Sequence, residues 1–306
     1  MQPPPPLDIR PEVAAALREK RPVVALVSGP IAHTLPWPAN LETVRQAESA
    51  AKQYGATLAL VAVWQGRLTV GLQPAEVEAL ARGASTLRAS RRDLATAVVA
   101  GRTSATSVSA SMYLALRAGI KVLATGAIGG AAATPLGDGG HGWDISADLV
   151  ELQHTPVAVV SAGARSVHNL AFTAEVLQTF RVPVIGYGTD SFPIFYMRAG
   201  SFPAPARADT PAQVAALLAA HWGMEGAGVV VAQPTPEDAA LSPDELIPAL
   251  ELVEKQAAEL HVGRKELSPF LMDRLNRLTR GKALRAYQAT MVANTRLAAQ
   301  VAKELL

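Results

Sequence analysis

A chain of 306 residues, with 49% hydrophobic and 18% charged content, is long and apolar enough for one large globular core or two smaller ones. Its 28 basic residues barely exceed its 26 acidic ones, for a net charge of +2 and a pI near 9.0. Arg91-Arg92 is only a basic pair, so no nucleic-acid footprint is visible, and the lack of cysteine excludes disulfides, thiolate nucleophiles and Cys-ligated zinc.

Residues 1–9, with Pro3 to Pro6, read as a disordered proline-rich tail, and residues 10–306 as the folded domain. Pro11 opens a short helix, and Val23 to Val27 reads as a buried strand. Asn40 is a good N-cap for a helix that ends before Gly55. Thr57 to Val63 is a second strand, with Arg67 to Val70 as its hairpin partner across Gln65-Gly66. Helices follow over Pro74 to Arg82, Arg92 to Ala100 and Ala105 to Ala118. Strand Lys121 to Ala124 then enters the glycine-rich loop Gly126 to Gly142.

Next come helix Ser146 to Gln153, strand Val157 to Ser161, helix Leu170 to Phe180 and strand Val184 to Tyr187. Helix Pro211 to His221 and strand Val229 to Ala232 complete the alternation, and Pro243 to Leu306 is helical with breaks near Gly263 and Gly281. Alternating strands and helices predict an α/β fold, a single domain with a helix-covered sheet and a helical C-terminal region. No secretory leader pattern and no apolar run of membrane-spanning length is present, so a soluble cytoplasmic protein with no membrane or nucleic-acid partner is the expectation.

Ligands of such sheets gather beyond the carboxyl ends of strands. The segments there are Ser28-Gly29, Thr125 to Gly130, Ala162 to Arg165, Gly188 to Asp190 and Gln233-Pro234. Gly126 to Gly130 is either a turn or an anion cradle of backbone amides, though it is no GxGxxG and no GKS or GKT follows. Asp144 and Asp148 flank Ser146, which suits either a capped helix start or a hard-metal site with few carboxylates and several waters. His33, His141 and His168 lie in loops without zinc spacing, and no G-x-S-x-G elbow supports a serine triad.

The ordered segments add a resemblance. Pro22 to Leu26 with Ser28 and His33, Ser90 to Leu94 (SRRDL), Gly119 to Val122, Thr125-Gly126, Ile128 to Gly130 and Asp144 to Leu149 (DISADL) resemble the pseudouridine-5'-phosphate glycosidase family. Ser161 to Ala164, Val182 to Tyr187, Val231 to Pro234, Ser268 to Leu271 and Ala293-Asn294 follow in the expected order, over about residues 10 to 305. The resemblance implies an α/β/α fold with a mixed central sheet, a homotrimer, a divalent metal (typically Mn2+), and cleavage or formation of the C–C glycosidic bond between uracil and ribose 5-phosphate. It further implies a Schiff-base lysine, a proton-donating glutamate and a second, substrate-binding lysine, since the iminium is the electron sink that C–C cleavage requires.

Residue by residue, this chain departs from that set. Arg165 stands at the Schiff-base lysine, Val27 at the glutamate and Arg88 at the second lysine. The family's HRG after IGG is missing, with Ala132-Ala133 near its place. Arginine stays protonated up to a pKa above about 12 and offers no free amine, although its planar fork suits a phosphate. Valine neither gives nor takes a proton, so the covalent mechanism is expected to be lost or strongly impaired. The binding half is retained: by resemblance Asp144 is the metal position, Ser146, Ala147, Asp148 and Val108 contact substrate, and Asn294 lies where the family reads the base. Two functional expectations result, a family enzyme of diverged substrate or mechanism and a non-catalytic sugar-phosphate-binding relative with a regulatory or partner role.

Overall fold

The computed structural model describes residues 5–85, 87–135, 141–165, 170–198, 200 and 202–306. The strands are β1 Leu7–Ile9, β2 Val23–Val27, β3 Thr57–Trp64, β4 Arg67–Val70, β5 Leu87–Ala89, β6 Ser104–Thr106, β7 Val122–Ala124, β8 Ala131–Pro135, β9 His141–Ile145, β10 Ala158–Ser161, β11 Val184–Tyr187, β12 Ser191–Phe192, β13 Phe202–Pro203, β14 Ala206–Ala208 and β15 Val229–Ala232. The helices are α1 Pro11–Arg18, α2 Gly29–His33, α3 Ala39–Lys52, α4 Pro74–Ala79, α5 Leu94–Val99, α6 Val108–Ala118, α7 Ala147–Leu152, α8 Leu170–Thr179, α9 Pro211–Gly223, α10 Pro243–Glu259, α11 Arg264–Leu278 and α12 Lys282–Glu304. A π turn over Leu80–Ala84 extends α4, and a 3-10 turn over Arg91–Asp93 precedes α5.

The main sheet runs β1-β4-β3-β2-β7-β10-β15-β11-β14, with β5 and β6 attached beside β3. From β3 through β2, β7, β10, β15 and β11 to β14 the pairing is parallel, whereas β4 and β6 run antiparallel to β3, which makes the sheet mixed. Because side chains alternate along a strand, β2 feeds two cores: Val24 and Leu26 face α3 and α12, while Val23, Ala25 and Val27 face α1 and α6. A parallel sheet covered on both faces reads as a continuous apolar run, as VVALV does. Among the described residues no helix is long and apolar enough to cross a membrane.

Several expectations shift. Leu7–Ile9 is not part of a disordered tail but forms β1, paired in parallel with β4 through Leu7↔Leu68 and Ile9↔Val70. Asn40 is not a cap: α3 starts at Ala39, and the buried Asn40 amide donates to the carbonyls of Ile31 and Ala81, both at 2.8 Å. The helix expected from Ala105 begins at Val108 instead, since Ser104–Thr106 is strand β6 and holds β5 beside it. The glycine loop contains the antiparallel hairpin β8–β9, registered through Ala131↔Ile145 and Ala132↔Asp144. His168 lies outside the described residues.

Candidate functional site

Arg88 reaches the sheet's carboxyl edge because β5 is carried there by β6 (Arg88↔Ala105), which is itself anchored on β3 (Ala62↔Ala105). The anchor is polar and buried: Thr106 N–H donates to Ser28 Oγ at 2.9 Å, and Thr106 Oγ1 donates to the Val61 carbonyl at 2.7 Å. Gly29 makes the approach possible, since a Cβ there would lie 2.9 Å from the Thr106 carbonyl oxygen and 3.7 Å from Arg88 Nε.

Arg165 follows β10 through a turn in which Gly163 has φ +74°, where a Cβ would collide with the Pro193 carbonyl. Its backbone is pinned by Arg165 N–H donating to the Ile128 carbonyl at 3.2 Å and by Phe195 N–H donating to the Ala164 carbonyl at 3.0 Å. The two arginines then meet at one atom: Ser268 Oγ, supplied by α11, accepts from Arg165 Nη1 at 2.7 Å and from Arg88 Nη1 at 3.2 Å. The neighbouring Arg165 charge, and then burial, pull the Arg88 guanidinium down to about 10, against the opposing pull of the Asp148 carboxylate. Arg88 is still a cation at neutral pH, and two cations share a neutral oxygen.

Opposite them, Ser146 caps α7 by accepting from Asp148 N–H at 3.2 Å. Asp148 is 4% exposed. Its carboxylate accepts Ser109 N–H at 3.0 Å on Oδ1 and Gly129 N–H at 2.9 Å on Oδ2, which ties the start of α6 and the glycine segment to α7. Gly129 passes so close to Ser146 that any Cβ would collide with its side chain.

These groups surround a cleft of about 290 Å³ lined by Arg88, Asp144, Ser146, Ala147, Asp148 and Arg165, together with Ser90, Arg92, Ser107 and Gly129. On the other side of Arg165 and Ser268 lies a chamber of about 40 Å³ walled by Phe195, Tyr196, Tyr287, Leu271 and Leu275. Burial drives both the Tyr196 and the Tyr287 phenols upward, so they stay neutral donors. A larger groove, about 590 Å³, lies outside α3, but its Arg82 is already paired with Glu78 at 3.0 Å and stacked 4.0 Å over Trp37.

Six of the nine residues expected at the site therefore line one cleft. Val27 does not: it is 2% exposed, in the core beneath α6. Val108 is 3% exposed in the same core, while its neighbour Ser107 lines the cleft. Asn294 is buried on α12, where its amide donates to the Thr125 carbonyl at 2.7 Å and its Oδ1 has no partner among the described residues. Ser268 was not singled out from the sequence, although it opens one of the matching segments. Its role depends on α11 folding back from more than a hundred residues downstream of Arg165.

For a divalent cation the donor set is sparse: among the described residues no three His, Cys, Asp or Glu side chains converge. Both Asp148 oxygens accept amides, and Asp93 bonds Ser90 N–H at 2.9 Å and approaches Arg92 at 3.6 Å. Asp144 lines the cleft at the position where the family resemblance puts the metal, and a largely hydrated ion held there would need few further protein ligands.

The whole chain has relatives. A protein-family model described as "Indigoidine synthase A like protein" matches residues 12–304. Pseudouridine-5'-phosphate glycosidase 2 of Rhizobium johnstonii is 44% identical, covering 95% of this chain and 93% of that one. The pseudouridine-5'-phosphate glycosidase of Escherichia coli is 41% identical, covering 97% and 95%. The crystal structure of a prealnumycin C-glycosynthase in complex with ribulose 5-phosphate superposes with a TM-score of 0.87 at 32% identity, covering 99% and 98%. An indigoidine synthase A-like protein from Thermotoga maritima gives 0.86 at 28% identity, covering 100% and 98%. On identity, coverage and fold together, the chain belongs to the indigoidine synthase A-like family, the family of the pseudouridine-5'-phosphate glycosidases.

Proposed function

We propose that this chain binds a phosphorylated five-carbon sugar, ribose 5-phosphate or pseudouridine 5'-phosphate, in the Arg88–Arg165 cleft and does not process it through a Schiff base. The observation that carries this reading is the convergence of two guanidinium groups on Ser268 Oγ. Like charges brought together around a neutral oxygen favour an anion between them, and charge-assisted bonds from arginine to phosphate are about twice as strong as neutral ones. The Ser146 hydroxyl, at the start of α7, supplies a further donor on the opposite wall.

Chemistry through an imine needs a neutral amine, and an arginine beside another arginine does not supply one. Lys121 is no substitute: it precedes β7, away from the strands' carboxyl ends, with its Nζ 5.6 Å from the Trp222 ring centre. Mn2+, where bound, takes Asp144 and water, and would add positive charge beside the phosphate. Assembly as a homotrimer and a cytoplasmic location, carried by the family resemblance, belong to the same proposal.

The test combines binding with trapping. Calorimetry with ribose 5-phosphate should give saturable binding that weakens as salt is raised. Borohydride with the same sugar should leave no mass adduct, and incubation with pseudouridine 5'-phosphate and Mn2+ should release no uracil. A covalent adduct, or turnover near that of an active relative, would overturn the non-covalent reading.

A further inference from the structure

We infer that Arg165 acts as a partition that restricts the site to a sugar phosphate without a nucleobase. This rests on the sugar-phosphate reading above and narrows its ligand. Arg165 and Ser268 stand between two spaces of very different size and character. The polar cleft, about 290 Å³, is at the lower end of what small-ligand sites occupy, about 300–1,000 Å³. The chamber behind, about 40 Å³, has room for about one water, whose share of liquid volume is about 30 Å³.

The chamber nevertheless has the chemistry of a planar-ring site. Phe195 and Tyr287 meet edge to face at 4.8 Å and 89°, and Tyr196 faces Tyr287 at 6.2 Å and 67°. Such rings stack or edge-pack on a flat heterocycle. Behind them runs Gly126, where a Cβ would lie 3.0 Å from Tyr287 and 3.3 Å from Phe195. Its neighbour Thr125 is held by Asn294, whose buried Oδ1 is an acceptor without a partner among the described residues.

A ring site with an unmet acceptor behind it is thus present but closed. What closes it is the Arg165–Ser268 bond at 2.7 Å, because the same face of α11 brings Leu271 and Leu275 into the chamber wall. A base carried on the sugar would have to displace the guanidinium and break that bond. A sugar phosphate confined to the cleft leaves both in place.

The experiment is calorimetric titration of the wild-type chain with ribose 5-phosphate, pseudouridine 5'-phosphate and uridine 5'-phosphate, repeated on Arg165→Gly and Ser268→Ala. Expected for wild type is ribose 5-phosphate binding at least about tenfold tighter than either nucleotide. Arg165→Gly should weaken all three by removing a cation, yet bring the sugar-to-nucleotide affinity ratio close to one, with Ser268→Ala in between. A wild-type chain that binds nucleotide as tightly as sugar phosphate overturns the partition while leaving the sugar-phosphate reading standing. The same follows from a wild-type ratio that Arg165→Gly does not change. Should ribose 5-phosphate fail to bind, the anion reading itself falls and the partition with it. The wild-type selectivity decides the matter even where a variant is poorly folded.

Discussion

Replacing Asp148 by alanine separates a structural role from a ligand-contacting one. The carboxylate is 4% exposed, and each oxygen accepts one backbone amide, Ser109 N–H at 3.0 Å and Gly129 N–H at 2.9 Å. Truncation orphans two buried donors, each costing about 1–3 kcal/mol, so the loss in stability is about 2–6 kcal/mol. At about 2 °C per kcal/mol for a chain of this size, Tm should fall by about 4–12 °C. Thermal and urea unfolding of Asp148→Ala and Asp148→Asn give the measurement. Asparagine should fall between, because its one carbonyl oxygen satisfies one amide while its NH2 faces the other. A Tm for Asp148→Ala within about 1 °C of wild type, less than one orphaned amide should cost, would refute the reasoning. Sugar-phosphate affinity lost without any loss of stability would likewise show that the carboxylate serves the ligand.

Three further outcomes are expected. Burial, helped by the Arg88 charge and opposed by a hydrogen bond with the Leu87 backbone, holds the His33 imidazole below its ordinary 6.5. Its neutral form therefore contributes stability that is fully present above pH 6.5 and is lost as pH falls through the lowered value, by at most about 1.4 kcal/mol per pH unit. Urea titrations of wild type and His33→Gln across that range should differ in slope there, and identical slopes would remove His33 from the account. Gly129→Ala should destabilise by about 1–3 kcal/mol, because its Cβ meets the Ser146 side chain and displaces the amide that Asp148 holds; unchanged urea midpoints would count against that close approach. Arg165→Lys should give a borohydride adduct with ribose 5-phosphate but little turnover of pseudouridine 5'-phosphate, since the buried Val27 still offers no proton; robust turnover would refute this.

The long apolar strands were legible because burial on both faces leaves a plain β-branched signature. Val184–Tyr187 and Val229–Ala232 lie where their runs of valine and isoleucine place them. Leu87–Ala89 and Ser104–Thr106 carry no such signal: each is three residues long, without a run of β-branched side chains, and strand only by virtue of its partner. Asn40 misled because its side chain has the chemistry of a cap, while the tertiary contacts with Ile31 and Ala81 claimed its amide. The DISADL segment placed four expected site residues at once, Asp144, Ser146, Ala147 and Asp148, because it lines the cleft as one contiguous stretch. Ser268 and the aromatic chamber lay beyond reach, because nothing local tells a helix near the end of the chain which arginine it will meet.

Helix α12 gives the fold a vulnerability during synthesis. It packs across β2, β7 and β10 and against α3, and contributes Ala286, Met291, Leu297 and Val301 to the core on that face. A ribosome making this chain must finish every one of those strands before α12 emerges, so for a time Val24, Leu26 and Val160 have no cover from it. Chains that expose sheet faces while awaiting a late partner are prone to collapse on one another. A nascent chain stalled before α12 should therefore engage cellular chaperones far more than one from which α12 has emerged.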